Sequence, residues 1–271
     1  MTLDDFTTEI RAKHHPALVA FLTAGYPDEK TFVNTLHAAS EAGCDVVEVG
    51  IPFSDPIADG PVIQAASTAA LESGMTLARA LELCADAQTT IDSRLVIMSY
   101  VNPVLAMGVK MFARRAATTG VQGVILPDVS AEESEPFRAA SRAQGIDYID
   151  LLAPTSSPAR IQHIARRASG FVYLVSVMGV TGTRGDIPTD LGDFVARVRP
   201  ATTTPLYVGF GVSTPKQAAA VTRVADGVII GSALIRRAGA GPGAADRVGS
   251  FLAQVRTAID ETTGRDDNVK S

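Results

Sequence analysis

Eight short, near-continuous apolar runs constrain this chain more than any other feature: "ALVAFLT" from Ala17, "DVVEVGI" from Asp45, "RLVIMSY" from Arg94, "VQGVILP" from Val121, "IDYIDLL" from Ile146, "FVYLVSV" from Phe171, "PLYVGFG" from Pro205 and "GVIIGSA" from Gly227. Strands with one wet face alternate apolar and polar residues. Runs this uniformly rich in Val, Ile and Leu belong to strands covered on both faces, which means a parallel sheet. The stretches between them read as helices: "DEKTFVNTLHAASEAG", "GVKMFARRAATTG", "SAEESEPFRAASRAQG" and "SPARIQHIARRAS". Several close on a glycine (Gly43, Gly120, Gly145), the residue suited to the position after a helix end. Eight such units imply one α/β domain over residues 1–271, a (β/α)8 TIM barrel. A doubly wound open sheet is the alternative, but it does not need eight units.

Two connections are longer than the rest. The second and third runs start 49 residues apart (Asp45 to Arg94), room for a loop, an extra helix through "VIQAASTAALESG" and the usual helix. The sixth and seventh start 34 apart (Phe171 to Pro205), which leaves the long loop "MGVTGTRGDIPTDLG". In a barrel both insertions follow the C-terminal ends of strands, where catalysis takes place. A second extra helix is expected after strand eight, opening at Gly231-Ser232. Residues 1–14 are expected to form a helix that closes the bottom of the barrel, with Thr2 and Asp5 as its capping pair, and residues 264–271 a disordered tail.

Composition excludes several classes. The net charge is −5 and the basic residues form no long run, against nucleic acid or an anionic membrane as partner. The amphipathic, charged start is no signal peptide, and the apolar runs are too short to cross a bilayer. Cys44 and Cys84 share no metal or redox spacing, so two buried thiols in a cytoplasmic protein are expected.

The last two strands end in "VGFGVSTP" and "IIGSALIRR". Glycines there let backbone N–H groups approach an anion, and the loops after strands seven and eight are where such barrels bind phosphate. Gly179, Thr181 and Gly182 of the long loop add to them. Imine chemistry would need a strand-end lysine, yet Lys13, Lys30, Lys110, Lys216 and Lys270 all lie away from the strand ends. His14 and His15 precede the first strand, and His37 and His163 fall in helices, so a histidine–metal centre is not expected. Carboxylates, hydroxyls and backbone dipoles remain.

Alternation along "DVVEVGI" puts Val47, Val49 and Ile51 on the helix side and Val46, Glu48 and Gly50 inside. An unpaired Glu48 in the barrel mouth should have a raised pKa, as a general acid/base at neutral pH requires. The competing reading is a buried glutamate paired with an arginine or hydroxyl, though no inward strand position carries an arginine. Asp55 and Asp59 sit in turn sequences, with Pro61 suited to a first helical position, so spacing leaves turn, cap and catalytic roles all open. Asp128 is similarly ambiguous, with a helix cap near Ser130 as the plain reading, and Tyr100 and Tyr173 are core aromatics or active-site hydroxyls.

Together, "EVGIPFSDPIADGP" at 48–61, Gln64, "GVTG" at 179–182, "GFG" at 209–211 and "GSA" at 231–233 closely resemble the tryptophan synthase alpha family over nearly the whole chain. The resemblance implies a lyase of aromatic amino-acid biosynthesis that cleaves indole-3-glycerol phosphate to indole and glyceraldehyde 3-phosphate by a retro-aldol reaction. It implies Glu48 as acid/base and Asp59 as the carboxylate that holds the indole N–H. Gly182, Gly211, Gly231 and Ser232 match phosphate-binding positions, and Phe21, Tyr100, Ile125, Tyr173, Thr181 and Phe210 match the indole pocket and its gate. No cofactor is implied in this chain; pyridoxal phosphate is expected in a partner beta subunit, met by Pro52, Phe53 and Asp55 in an α2β2 complex. The alternatives are a stand-alone indole-3-glycerol phosphate lyase and a catalytically silent phosphate-binding barrel that only regulates a partner.

Overall fold

The computed structural model describes residues 1–175, 189–209 and 211–263; the expected disordered tail, 264–271, lies outside them. Nine strand segments form one parallel sheet: β1 (Ala17–Thr23), β2 (Val46–Gly50), β3 (Arg94–Met98), β4 (Val121–Ile125), β5 (Asp147–Tyr148), β6 (Leu151–Leu152), β7 (Val172–Val175), β8 (Leu206–Gly209) and β9 (Gly227–Ile230). Their spatial order is β5-β4-β3-β2-β1-β9-β8-β7-β6. Its two ends are consecutive in the chain, so the sheet curls round and is joined through Ile149 and Asp150. This is the expected barrel, with the fifth strand in two pieces instead of one. The ladder breaks where Asp150, buried, gives its carboxylate to Arg138 and, at 3.3 Å, to Arg167.

The helices are α1 (Leu3–Ala12), α2 (Glu29–Glu41), α3 (Pro61–Glu72), α4 (Leu77–Gln88), α5 (Val101–Met107), α6 (Val109–Thr118), α7 (Glu135–Arg142), α8 (Pro158–Ala165), α9 (Thr189–Val198), α10 (Pro215–Thr222), α11 (Ser232–Ala238) and α12 (Ala244–Thr263). The extra helices expected after the second and eighth strands are α3 and α11. A further one, α5, was not expected. Pro103 falls in its first turn, where a missing N–H is harmless, and Gly108 at φ 87° separates it from α6.

The apolar residues pack in two layers. One lies between sheet and helices and takes Leu18, Val47, Val49, Ile97 and Leu174. The other fills the barrel with Val19, Phe21, Val46, Val96, Ile125, Ile149 and Tyr173. Leu3 of α1 is fully buried in this inner layer, a burial worth roughly 1.5–3 kcal/mol. Thr2 and Asp5 form the expected capping box. Hydrogen bonds then fasten α1 against the starts of β5 and β7: Asp4 N–H donates to Asp147 at 2.9 Å, Gly170 N–H to the Asp4 carboxylate at 2.9 Å, and Thr7 Oγ1 to Gly170 O.

Candidate active site

Glu48 stands in register between Phe21 of β1 and Val96 of β3. Its neighbours Val47, Val49 and Ile51 pack outward and Val46 inward, so alternation does aim it into the barrel. It is 0% exposed, and among the described residues neither carboxylate oxygen has a hydrogen-bond partner. Burial, and then the negative charge of Asp59, push its pKa up to about 8. At neutral pH Glu48 is therefore mostly a protonated acid, and the reading of a glutamate paired to arginine or hydroxyl is not what the structure has. The same two carboxylates bear on Tyr173, whose hydroxyl burial first, then Glu48 and Asp59, push far above its ordinary value.

Past β2 the chain folds into a tight loop. Asp59 N–H donates to Pro56 O at 3.0 Å, closing a turn through backbone alone. Helix α3 then starts at Pro61 with Gly60 as its N-cap and no side-chain cap. The Asp59 carboxylate is thus used neither for the turn nor for the cap. Burial raises its pKa to about 6, while a hydrogen bond from Tyr100 works the other way. The Tyr100 hydroxyl also accepts Ala58 N–H at 2.9 Å, and its ring stacks on Phe53 with centroids 5.2 Å apart. Gln64 Nε2 donates to Asp59 O at 2.8 Å. Asp55, by contrast, is exposed; its carboxylate accepts from its neighbour Ser54 at 2.5 Å, and its backbone O accepts Ile57 N–H at 2.9 Å.

Asp128 resolves into a cap, though of a helix not foreseen. Both its oxygens accept Val101 N–H, at 3.0 and 3.1 Å, at the start of α5 and directly after Tyr100. Ser130 makes a separate turn with Glu133.

Phe21, Thr23, Gly50, Ile51, Asp59, Ile63, Ser67, Met98 and Tyr100 line a small recess that communicates with solvent. Glycine at position 50 is what admits the aromatic wall: a Cβ there would lie 2.5 Å from the Phe21 ring. Gly231 is Phe21's neighbour on the other side, where an added Cβ would lie 3.5 Å away, and with Ser232 it opens α11. Gly209 touches the Tyr173 hydroxyl so closely that a Cβ would sit 2.3 Å from it, and Gly211 follows at φ 84°. Ile125 and Tyr173 are buried in the inner layer. Thr181, Gly182 and Phe210 lie outside the described residues.

Sequence reasoning missed Thr23, Ile63, Ser67 and Met98. Thr23 is two residues past Phe21 and so shares its face; Ile63 and Ser67 are four apart on α3 and share one side of it.

A carboxyl that is neutral at neutral pH beside one that is largely ionised can donate a proton and steady a positive charge at once. A sequence model of the tryptophan synthase alpha chain matches residues 7–262. The chain belongs to the tryptophan synthase alpha family. A tryptophan synthase alpha chain of Geobacter sulfurreducens is 46% identical over 228 residues, 84% of this chain and 86% of that one. One of Lactiplantibacillus plantarum is 43% identical over 261 residues, 96% and 98% of the two chains. Among solved structures, tryptophan synthase subunit alpha of Legionella pneumophila superposes with a TM-score of 0.89 at 34% identity, covering 96% of this chain and 99% of that one. Tryptophan synthase of M. tuberculosis gives 0.86 at 36% identity, covering 95% and 98%.

As a tryptophan synthase alpha family member the chain is a lyase, and its barrel matches those of its relatives. Among the described residues no group of three or more His, Cys, Asp and Glu could hold a metal, and no helix is long and apolar enough to cross a membrane.

Proposed function

We propose that this chain cleaves indole-3-glycerol phosphate, with the Glu48–Asp59 pair as the chemical centre. The buried, unpartnered Glu48 carboxyl carries the reading, because only a protonated group beside an ionised one suits this reaction at neutral pH. Glu48 gives its proton to the ring carbon that bears the side chain, and the ring nitrogen takes up the positive charge. Asp59 accepts the ring N–H and stabilises that cation. Glu48, now a carboxylate, removes the proton from the adjacent side-chain hydroxyl. The carbon–carbon bond then breaks: its electron pair returns to the ring as indole is released, and the hydroxyl carbon becomes the aldehyde of glyceraldehyde 3-phosphate. Glu48 ends protonated, ready for another turnover.

In this reading the ring occupies the recess beside Phe21 and Tyr100, with Ile125, Tyr173, Thr181 and Phe210 as the rest of its pocket and gate. The phosphate takes backbone N–H groups at Gly182, Gly211, Gly231 and Ser232. No cofactor of this chain enters the chemistry. The barrel acts as one domain over 1–271, in the cytoplasm, and passes indole to a beta subunit carrying pyridoxal phosphate in an α2β2 assembly. An exposed apolar side chain in the loop of Pro52, Phe53 and Asp55 supports a docking face there: Ile57 is 82% exposed.

The test is cleavage of indole-3-glycerol phosphate by the full chain, alone and with a beta subunit. Glu48→Gln should keep the fold and lose roughly 10²–10⁴-fold in turnover. Near-normal turnover in that variant would remove Glu48 as proton carrier, and no activation by any beta subunit would favour a stand-alone lyase.

A further inference from the structure

Thr23 ends β1 on its inward face, in register with Gly50 and two residues beyond Phe21. It is 2% exposed yet lines the recess, and its Oγ1 is buried with no hydrogen-bond partner among the described residues. Such a hydroxyl is unfavourable in the empty site: its desolvation is uncompensated, and valine, with the same shape, would avoid it. The rest of the lining is mostly apolar (Phe21, Ile51, Ile63, Met98), with Asp59, Ser67 and Tyr100 as its other polar side chains. A hydroxyl that is unpaired against protein but faces a recess open to solvent can be satisfied by what enters it.

We propose that Thr23 Oγ1 hydrogen-bonds the bound substrate and is a positioning residue for the reaction. This rests on the reading that the recess holds the ring-bearing substrate. Thr23 moves no proton; it fixes how tightly and in what pose the substrate lies between Phe21 and Asp59, and its effect falls on ground-state binding.

The experiment compares the full wild-type chain with Thr23→Val and Thr23→Ser in steady-state cleavage of indole-3-glycerol phosphate and in thermal melts. Thr23→Val should raise KM roughly 3- to 10-fold with kcat within about twofold, while Thr23→Ser stays within about twofold of wild type in both. Its melting temperature should be no lower than wild type, since removing an unpaired buried hydroxyl takes nothing from the fold. Unchanged KM in Thr23→Val, or a loss confined to kcat, overturns the contact. So does a lowered melting temperature in Thr23→Val that Thr23→Ser restores, because the hydroxyl then serves the fold. A wild-type chain with no cleavage at all would overturn the functional reading together with this one, whereas an active wild type beside an indifferent Thr23→Val sinks this one alone.

Discussion

The Tyr100 hydroxyl accepts the N–H of Ala58 at 2.9 Å, one residue before Asp59, while the same hydroxyl donates to the Asp59 carboxylate. One atom thus anchors the loop and also offsets part of the rise in pKa that burial gives its carboxylate. Tyr100→Phe should remove the contact that holds the Asp59 pKa down. The acid limb of the pH–rate profile should move upward, and kcat/KM at neutral pH should fall roughly 3- to 30-fold as loop and carboxylate lose their support. A variant with an unmoved acid limb would mean the hydroxyl matters only to the loop.

The two carboxylates predict a bell-shaped profile for kcat/KM in the free enzyme. Activity should rise as Asp59 ionises near pH 6 and fall as Glu48 loses its proton near pH 8. These values belong to an interacting pair, so the limbs move together. In Asp59→Asn the acid limb should vanish, and the basic limb should shift down because the charge that raises Glu48 is gone. Residual activity with an unshifted basic limb would show that the two groups are not coupled.

Stability carries the opposite imprint of the same burial. Glu48 binds its proton more tightly folded than unfolded, so its contribution is fully present below about pH 4.5 and is lost as pH rises to about 8. Glu48→Gln has no proton to lose. Its stability relative to wild type should grow through that window by something on the order of a few kcal/mol and level off above it. Parallel denaturation curves at every pH would mean that water or a shifted side chain hydrates the carboxylate.

Asp128 acts on the site at one remove. Val101 N–H, shared between the two carboxylate oxygens of Asp128, fixes where α5 begins, and so the position of Tyr100 just before it. Asp128→Ala should cost about 1 kcal/mol of stability, the usual loss for a capping carboxylate, with Asp128→Asn recovering part of it. If α5 also sets Tyr100, kcat/KM should fall with stability in the alanine variant; unaltered kinetics would confine Asp128 to the cap.

The barrel was legible in the sequence because burial on both faces writes itself into composition. Val47 and Val49 against Val46 and Glu48 follow from alternation alone. The expected absence of an inward arginine does not hold: Arg94 opens β3 on the same face as Val96 and Met98. Glu48 stays unpaired among the described residues because Arg94 stands in register with Val46, two residues lower, over the Phe6 ring. What stayed hidden depends on partners distant in the chain. Asp59 reads as turn or cap until Gly60 is seen to start α3 with no side chain. Helix α5 was missed because "VNPVLAM" is short and contains a proline, and its start relies on a carboxylate 27 residues further on. Thr23 looks like any β-branched strand residue until its hydroxyl is found unpaired. The fifth strand reads as unbroken because nothing local to Asp150 announces Arg138 and Arg167.

That divided strand bears on how another protein can attach. Even at the seam the backbone is engaged: Ile149 N–H reaches Val124 O at 2.9 Å, and Asp150 O receives Tyr173 N–H at 2.9 Å. A seam bonded in this way leaves, among the described strands, no open border there on which a foreign strand could be templated, whether in assembly or in aggregation. Recognition then falls to side chains on the loops and helices outside the sheet, the loop that carries Asp59 among them.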